Sequence, residues 1–452
     1  MKTQKEYNQC QQPTSCHNCS SNQICQAWVD FVKHHNDTKP YAHFDLRVSL
    51  SMPSIRKYVM DRTKIVTHSF YPFIHFEKKN SRYGKKGPKK PRELYYCSHL
   101  DRCVYQRYAF LLNYQYSIWA CENNIDDVAI AYRDNLGKNN IDFAKDAFDA
   151  IRSFPQCFIF VGDFTNFFDN LEHQYLKKMM CEVLGVERLP QDYFSVFKNI
   201  TRFSSWDWKD IVKAAGENIA ERGVRKKINS KETVLTKEQF QKNKKDIKKN
   251  ISGVGVPQGS PISAVLSNIY MIKFDKDIKR YVICKGGIYM RYSDDFIIVL
   301  PYERDAEIAD FTSYIFSYVE SMKGLIDLQK EKTSCYTYKD EVIYEGDQPS
   351  SINYLGFLFD GKSIRIRPRA ITKYYYRKAH AIGRSNWISS KGRRISAKEL
   401  YSIYSRNDEK QTFIDYARKA KGILKLNDQE ANALIKHHKR KIAMAIKEGQ
   451  KK

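Results

Sequence analysis

Two short apolar runs that end on aspartates constrain this chain more than any other feature. "CFIFV" (Cys157 to Val161) is a continuous apolar run of strand length that stops at Gly162-Asp163. Farther on, Gly287 to Arg291 and Phe296 to Leu300 read as two strands separated by "YSDD", which places Asp294 and Asp295 in the turn. Short continuous apolar runs bounded by turn signals suit buried strands. Taken singly, an Asp at a strand end or an Asp-Asp pair in a hairpin is an ordinary turn residue. Together they also meet a second requirement. Two divalent ions roughly 3.5–4 Å apart need carboxylates projecting from rigid neighbouring strands. Mg²⁺ takes a few carboxylates plus phosphate oxygens rather than a full protein cage.

The charge distribution says what such a site would act on. The 452 residues hold 77 Lys+Arg against 51 Asp+Glu, a net of +26. The excess lies in three places. Residues 361–452 carry 25 basic and 7 acidic residues, a net of +18; residues 222–250 and 78–92 each carry +8. The remainder is therefore mildly acidic. Concentrated basic surfaces attract a polyanion, most commonly nucleic acid. In "TKYYYRKAHAIGRSNW" aromatics alternate with bases, which mixes phosphate-binding and stacking side chains. The Lys-rich 222–250 segment has few aromatics and reads equally well as a solvated surface. Hydrophobic residues make up 42%, enough for a sizeable core. No apolar run approaches the ~18 residues of a membrane span. The polar start carries no secretory signal, so a cytoplasmic protein without membrane association is expected. Eleven Cys, an odd number, fit a disulfide framework poorly.

Local patterns fill in the rest. "IVTHSFYPFIHF", from about 64 to 76, is rich in β-branched and aromatic residues and reads as strand; "NSRYGKKGPKK" reads as loop. Leu100 to Tyr116, Pro261 to Tyr281 and residues 306–323 carry apolar residues at helical spacing. "INYLGFLFDGKSIRIR" is strand-like with a turn near Asp360-Gly361, and the chain from 396 onward is mostly helical in pattern. Cys10, Cys16, Cys19 and Cys25 form an N-terminal cluster whose central Cys-x2-Cys suits a tetrahedral Zn²⁺ site, with His17 as a substitute ligand; unmetallated reduced cysteines are the alternative.

"FVGDFTNFFDNLEH", "GVPQGSP", "RYSDDFIIV", "LQKEKT" and "INYLGF" occur in that order, and the set resembles motifs A to E of reverse transcriptases. "KKPRELYYCSHLDRCVYQRY" is similar to the finger motifs of bacterial members, so the resemblance covers roughly residues 64–365. It implies an α+β right-hand polymerase fold with fingers, a palm built on an antiparallel sheet, and a helical thumb. The expected divisions are an N-terminal extension over 1–60, fingers over 61–156, palm over 157–360 with the basic insertion 222–250, and a basic helical thumb over 361–452.

The resemblance also implies roles. Asp163, Asp294 and Asp295, with the Phe164 carbonyl, would hold two Mg²⁺ ions, with Mn²⁺ as a substitute. Phe168 would be the steric gate that excludes a ribose 2′-hydroxyl and selects dNTPs. Gln258 and Gly259 would line the nucleotide and template side. Arg92 and Lys90 would clamp the triphosphate by charge-assisted hydrogen bonds. Lys332 would be the general acid for pyrophosphate. Tyr292, Leu355 and Gly356 would contact the primer end. Motif C is Tyr-Ser-Asp-Asp here, where Ala is the commoner second residue. The implied partners are dNTPs, an RNA template and the cDNA product. The compact size and the "YYCSHLDRCVYQRYAFLLN" segment look most like defence-associated and abortive-infection enzymes, which implies antiphage defence with a structured noncoding RNA as template. A template-independent or protein-primed DNA polymerase, with Tyr374 to Tyr376 among the available hydroxyls, and an RNA-binding scaffold with a vestigial site are the alternatives. Oligomeric state is left open by the sequence.

Overall fold

A computed structural model describes residues 22–450 apart from 36, 79–90, 134–135, 392–396 and 408–410. Lys90 and three of the four N-terminal cysteines (Cys10, Cys16 and Cys19) lie outside the described residues; Cys25 falls within the first helix.

The chain opens with helices α1 (Asn22–His34), α2 (Pro53–Met60) and α3 (Arg62–Val66). Strands β1 (Phe73–Lys78) and β2 (Arg92–Tyr96) follow, then the long helix α4 (His99–Glu122) and helix α5 (Asn140–Ser153). Strand β3 (Gln156–Asp163) leads to α6 (His173–Leu184), α7 (Gln191–Thr201), β4 (Ser204–Asp207), α8 (Trp208–Ala214), α9 (Val224–Asn229), α10 (Lys237–Asn243) and β5 (Lys248–Lys249). Helices α11 (Ser263–Tyr270) and α12 (Ile272–Cys284) precede β6 (Ile288–Tyr292), β7 (Asp295–Pro301) and α13 (Ala306–Ser321). Short strands complete two sheets: β8 (Ser334–Lys339), β9 (Val342–Glu345), β10 (Gln348–Pro349), β11 (Ile352–Tyr354), β12 (Phe357–Phe359) and β13 (Ile364–Ile366). Four helices end the chain: α14 (Pro368–Ser389), α15 (Ala397–Tyr404), α16 (Phe413–Leu424) and α17 (Gln429–Gln450).

The central sheet runs β10-β9-β8-β3-β7-β6, and every pairing in it is antiparallel. Its middle strands explain their own sequence. Alternate residues of β3 face opposite layers: Phe158 and Phe160 join a core with α4, α6 and α11, while Cys157 and Ile159 join a second core with α5, α14 and α16. On β7, Phe296, Ile298 and Leu300 face the first layer and Ile297 and Val299 the second. A strand covered on both faces must be apolar throughout, which is why these runs are continuous rather than alternating. Each fully buried large apolar side chain contributes about 1.5–3 kcal/mol.

Two sequence expectations change on this frame, and two further segments find their place in it. The segment read as strand from about 64 begins as helix α3, capped by the Asp61 side chain on the Lys64 N–H, and the strand starts only at Phe73. The helix expected over Pro261 to Tyr281 is split at Met271, where the backbone tightens to a Met271 N–H to Asn268 carbonyl bond with no Gly or Pro to announce it. Within the expected N-terminal extension, Trp28, Val32, Leu50 and Val59 enter the main core beside α4. The basic segment 222–250 leaves the central sheet altogether. Strands β4 and β5 extend the first sheet in the order β2-β1-β4-β5, and Val224, Ile228, Val234 and Leu235 pack on Phe44, Ile74 and Trp206. Its lysines sit on an apolar anchor that their density hides in the sequence.

Candidate active site

The three aspartates meet at one end of the central sheet. Asp163 closes β3 and stands directly opposite Asp295, the first residue of β7. Tyr292 pairs with Asp295 across β6 and β7, so Ser293 and Asp294 form a two-residue hairpin turn. Ser293 takes φ +63°, a left-handed conformation that lets so short a turn close. The Phe164 N–H donates to the Asp294 carbonyl at 3.1 Å, which ties the turn to the end of β3. Gly162 is required just before the first acid, because a Cβ there would lie 2.4 Å from the Phe296 ring.

Among the described residues no group of three or more His, Cys, Asp and Glu side chains is arranged to hold a metal ion. The acids share one end of the sheet, and their electrostatics show the crowding of the grouping. Burial, then the charges of Asp294 and Asp163, push the Asp295 carboxyl up to about 7. Burial first, with Asp163 contributing, also raises Asp294. One cation already answers this crowding: the Lys332 ammonium lies 2.9 Å from both oxygens of Asp163. A donor set of desolvated carboxylates that draws in an ammonium fits a small hard divalent cation. The same contact places Lys332 on the carboxylate rather than free toward a leaving group.

The remaining expected residues fall into three groups. Phe168 is half-buried against the core, and its carbonyl accepts from the Val256 N–H at 2.9 Å, so the proposed gate is tied to the "GVPQGSP" segment. Gln258 accepts from the Tyr95 N–H at 2.9 Å, which joins this segment to β2. Gly259 has φ +113°, and a Cβ there would lie 2.4 Å from the Tyr95 carbonyl, so only glycine fits. Arg92 opens β2 with an exposed side chain, opposite Lys78, and belongs to the first sheet rather than to the acid cluster. Leu355 and Gly356 form the turn between β11 and β12 with φ +46° and +96°; the Leu355 carbonyl accepts from the Asn140 amide at 3.1 Å. Tyr354 on that hairpin feels the charge of Asp295 and the nearby Tyr292, so turn, tyrosine and acids share one neighbourhood.

Sequence reasoning missed the support beneath the acids. Arg291 is fully buried and grips Asp275 through two bonds, Nε to Oδ1 at 2.8 Å and Nη2 to Oδ2 at 2.6 Å. Its Nη1 donates to the Ser293 carbonyl at 2.9 Å and to Asn268 Oδ1 at 3.3 Å, while Tyr289 donates to Asp275 at 2.8 Å. Only half of the signal lay in the sequence. Tyr289 and Arg291 occupy the buried parity of β6, where an unpaired arginine would be prohibitive.

An antiparallel sheet with acids at one end, together with a second sheet and a helical C-terminal region, makes up a right-hand polymerase fold. Residues 78–359 match the family model described as reverse transcriptase (RNA-dependent DNA polymerase). The chain belongs to the reverse transcriptase family. A search of curated proteins found no match. Among solved structures, it is similar to apo telomerase from Candida tropicalis truncated from its C-terminal domain, at 11% identity and TM-score 0.42, over 75% of this chain and 65% of that one. Telomerase from Candida albicans in complex with the TWJ fragment of telomeric RNA is 13% identical, with TM-score 0.37, over 94% of this chain and 70% of that one. The chain thus spans just under two thirds of the first of these. Among the described residues no helix is long and apolar enough to cross a membrane.

Proposed function

We propose that this chain is an RNA-directed DNA polymerase that extends a primer with dNTPs at Asp163, Asp294 and Asp295. The observation that carries the reading is the cross-strand pair Asp163–Asp295 with Asp294 in the adjoining turn. In this reading the three carboxylates and the Phe164 carbonyl would hold Mg²⁺, which would supply Lewis-acid stabilisation of developing negative charge. Phe168 sets sugar selection, Gln258 and Gly259 line the nucleotide side, and Arg92 neutralises triphosphate charge. Leu355, Gly356 and Tyr292 position the primer end. Lys332 moves from Asp163 toward the leaving pyrophosphate. The basic C-terminal helices hold the template-primer backbone. A structured noncoding RNA as template and a role in antiphage defence extend this reading on the strength of the sequence resemblance.

The test is dNTP incorporation on a primed RNA in Mg²⁺ by the purified chain and by Asp294→Ala with Asp295→Ala. The variant should lose incorporation and keep its circular dichroism spectrum. Unchanged synthesis in the variant removes the assignment. The same assay without RNA separates a template-independent polymerase, and DNA covalently attached to the chain identifies protein priming.

A further inference from the structure

Motif C carries Ser293 where alanine is the commoner residue, and that hydroxyl has two neighbours. Tyr132 donates its phenol proton to Ser293 Oγ at 3.3 Å. The Ser293 side chain in turn hydrogen-bonds to Asp294, where it counters part of the rise that burial produces. A hydroxyl has one proton and two lone pairs. Ser293 can therefore accept from the phenol and still donate to an ionised carboxylate, which only accepts. Hydrogen bonds in such a chain polarise one another. The backbone is strained to put Tyr132 there. It takes φ +63°, a left-handed conformation that is unfavourable for a bulky residue. The Arg291 N–H donates to the Val128 carbonyl at 2.8 Å and the Ile130 N–H to the Arg291 carbonyl at 3.0 Å, so this segment lies along the outer edge of β6. Asn268, fully buried, donates to the Ala131 carbonyl at 3.0 Å, and buried Arg133 pairs with Asp126. Residues on both sides of Tyr132 are thus fixed, while its own side chain is 47% exposed and gains little from packing. Strain over-determined by its surroundings is the mark of a conformation that is used.

We infer that Tyr132 is a positioning residue for the acids: through the Ser293 hydroxyl it fixes the Asp294 carboxylate in the orientation that a divalent cation requires. The Arg291 guanidinium holds the Ser293 carbonyl and Tyr132 holds its hydroxyl, so the residue before Asp294 is fixed at both its backbone and its side chain. An alanine at 293 would keep only the first of these. Groups that hydrogen-bond to metal-binding carboxylates tune affinity and rate without touching the reacting atoms. This inference rests on the reading that the acids hold Mg²⁺ for dNTP incorporation.

The test compares the full unmodified chain with Tyr132→Phe, Ser293→Ala and the two combined. Each is measured by steady-state dNTP incorporation on a primed RNA and by Mn²⁺ binding, followed as loss of the free-ion electron paramagnetic resonance signal. Tyr132→Phe removes only the hydroxyl, so the thermal midpoint should stay within about 2 °C. Its kcat should fall about two- to tenfold with KM for dNTP unchanged, and its Kd for Mn²⁺ should rise by a similar factor. On the Ser293→Ala background the same change should lower kcat and Mn²⁺ affinity no further, because the phenol has lost its acceptor. Unaltered Mn²⁺ affinity in Tyr132→Phe overturns the proposal. An equal fall on both backgrounds, or a rise in KM alone, also overturns it, in favour of a direct contact between the phenol and substrate. An unmodified chain that incorporates no dNTP refutes the polymerase reading, and the Mn²⁺ titration then decides the inference by itself. Incorporation by the unmodified chain with unaltered Mn²⁺ affinity in Tyr132→Phe refutes the inference alone.

Discussion

Replacing Arg291 with leucine tests whether the ion pair beneath the turn shapes the active site or only stabilises the fold. Both side chains of the Arg291–Asp275 pair are 0% exposed. Removing the arginine leaves Asp275 in the core with Tyr289 as its remaining side-chain donor. Breaking a buried pair from one side costs about 3–5 kcal/mol, a large share of the roughly 5–15 kcal/mol that holds a typical domain together. Replacing both partners, Asp275→Leu with Arg291→Leu, removes both charges and fills the space with hydrocarbon. That change is often neutral or better for stability. The Ser293 carbonyl and Asn268 Oδ1 still lose their donor, at about 1–3 kcal/mol each where they remain unsatisfied. The double variant should therefore recover much of the stability lost by the single one, read as the shift in urea midpoint. It should not recover dNTP incorporation, because nothing then pins the carbonyl that precedes Asp294. A single variant that loses less than about 1 kcal/mol, or a double variant with full incorporation, refutes the argument that this pair positions the turn.

Phe168→Ala should raise ribonucleotide incorporation relative to dNTPs, read as the ratio of kcat/KM values; an unchanged ratio removes the gate assignment. Gly259→Ala forces a Cβ to 2.4 Å from the Tyr95 carbonyl at φ +113°, and should cost about 1–3 kcal/mol in thermal denaturation and weaken incorporation. Lys378 is buried over Tyr374 and Tyr375, and burial, with Lys441 nearby, pushes its ammonium down to about 8 from the ordinary 10.5. Protonation therefore opposes folding: the penalty is full below about 8 and fades as pH rises toward 10.5. Lys378→Met should accordingly raise stability most at neutral pH, with the gain shrinking above pH 8; a pH-independent gain contradicts the assignment.

The acids were legible because their constraint is local. Apolar strands buried on both faces leave little choice about where they end, so the flanks alone put Asp163, Asp294 and Asp295 at strand ends and in a turn, while their sharing one sheet was what the motif resemblance implied. Gly259 sits where the Gly-rich turn of its segment was read; the Leu355-Gly356 turn was not read, since the one turn expected in that strand-like run lay near Asp360-Gly361. Arg291 with Asp275 was not read, because its meaning depends on a partner brought in by α12, and pairing across elements leaves no periodicity. The break at Met271 was equally silent, lacking Gly or Pro. The basic segment 222–250 misled most: lysines dominate its composition, while four apolar residues decide where it sits.

The route of that segment has a consequence for how the chain comes to be folded. Phe73 on β1 pairs in parallel with Ser205 on β4, and β3 cannot acquire both neighbours until β7 and β8 exist. Neither sheet can therefore close on a ribosome-bound chain that stops short of these partners. The early product exposes an unpaired strand edge with Phe73 and Ile74 uncovered, a species prone to misassembly. Slowing synthesis between residues 96 and 204 should lengthen that interval and lower the soluble yield, whereas slowing it after residue 339, when the central strands are present, should matter far less.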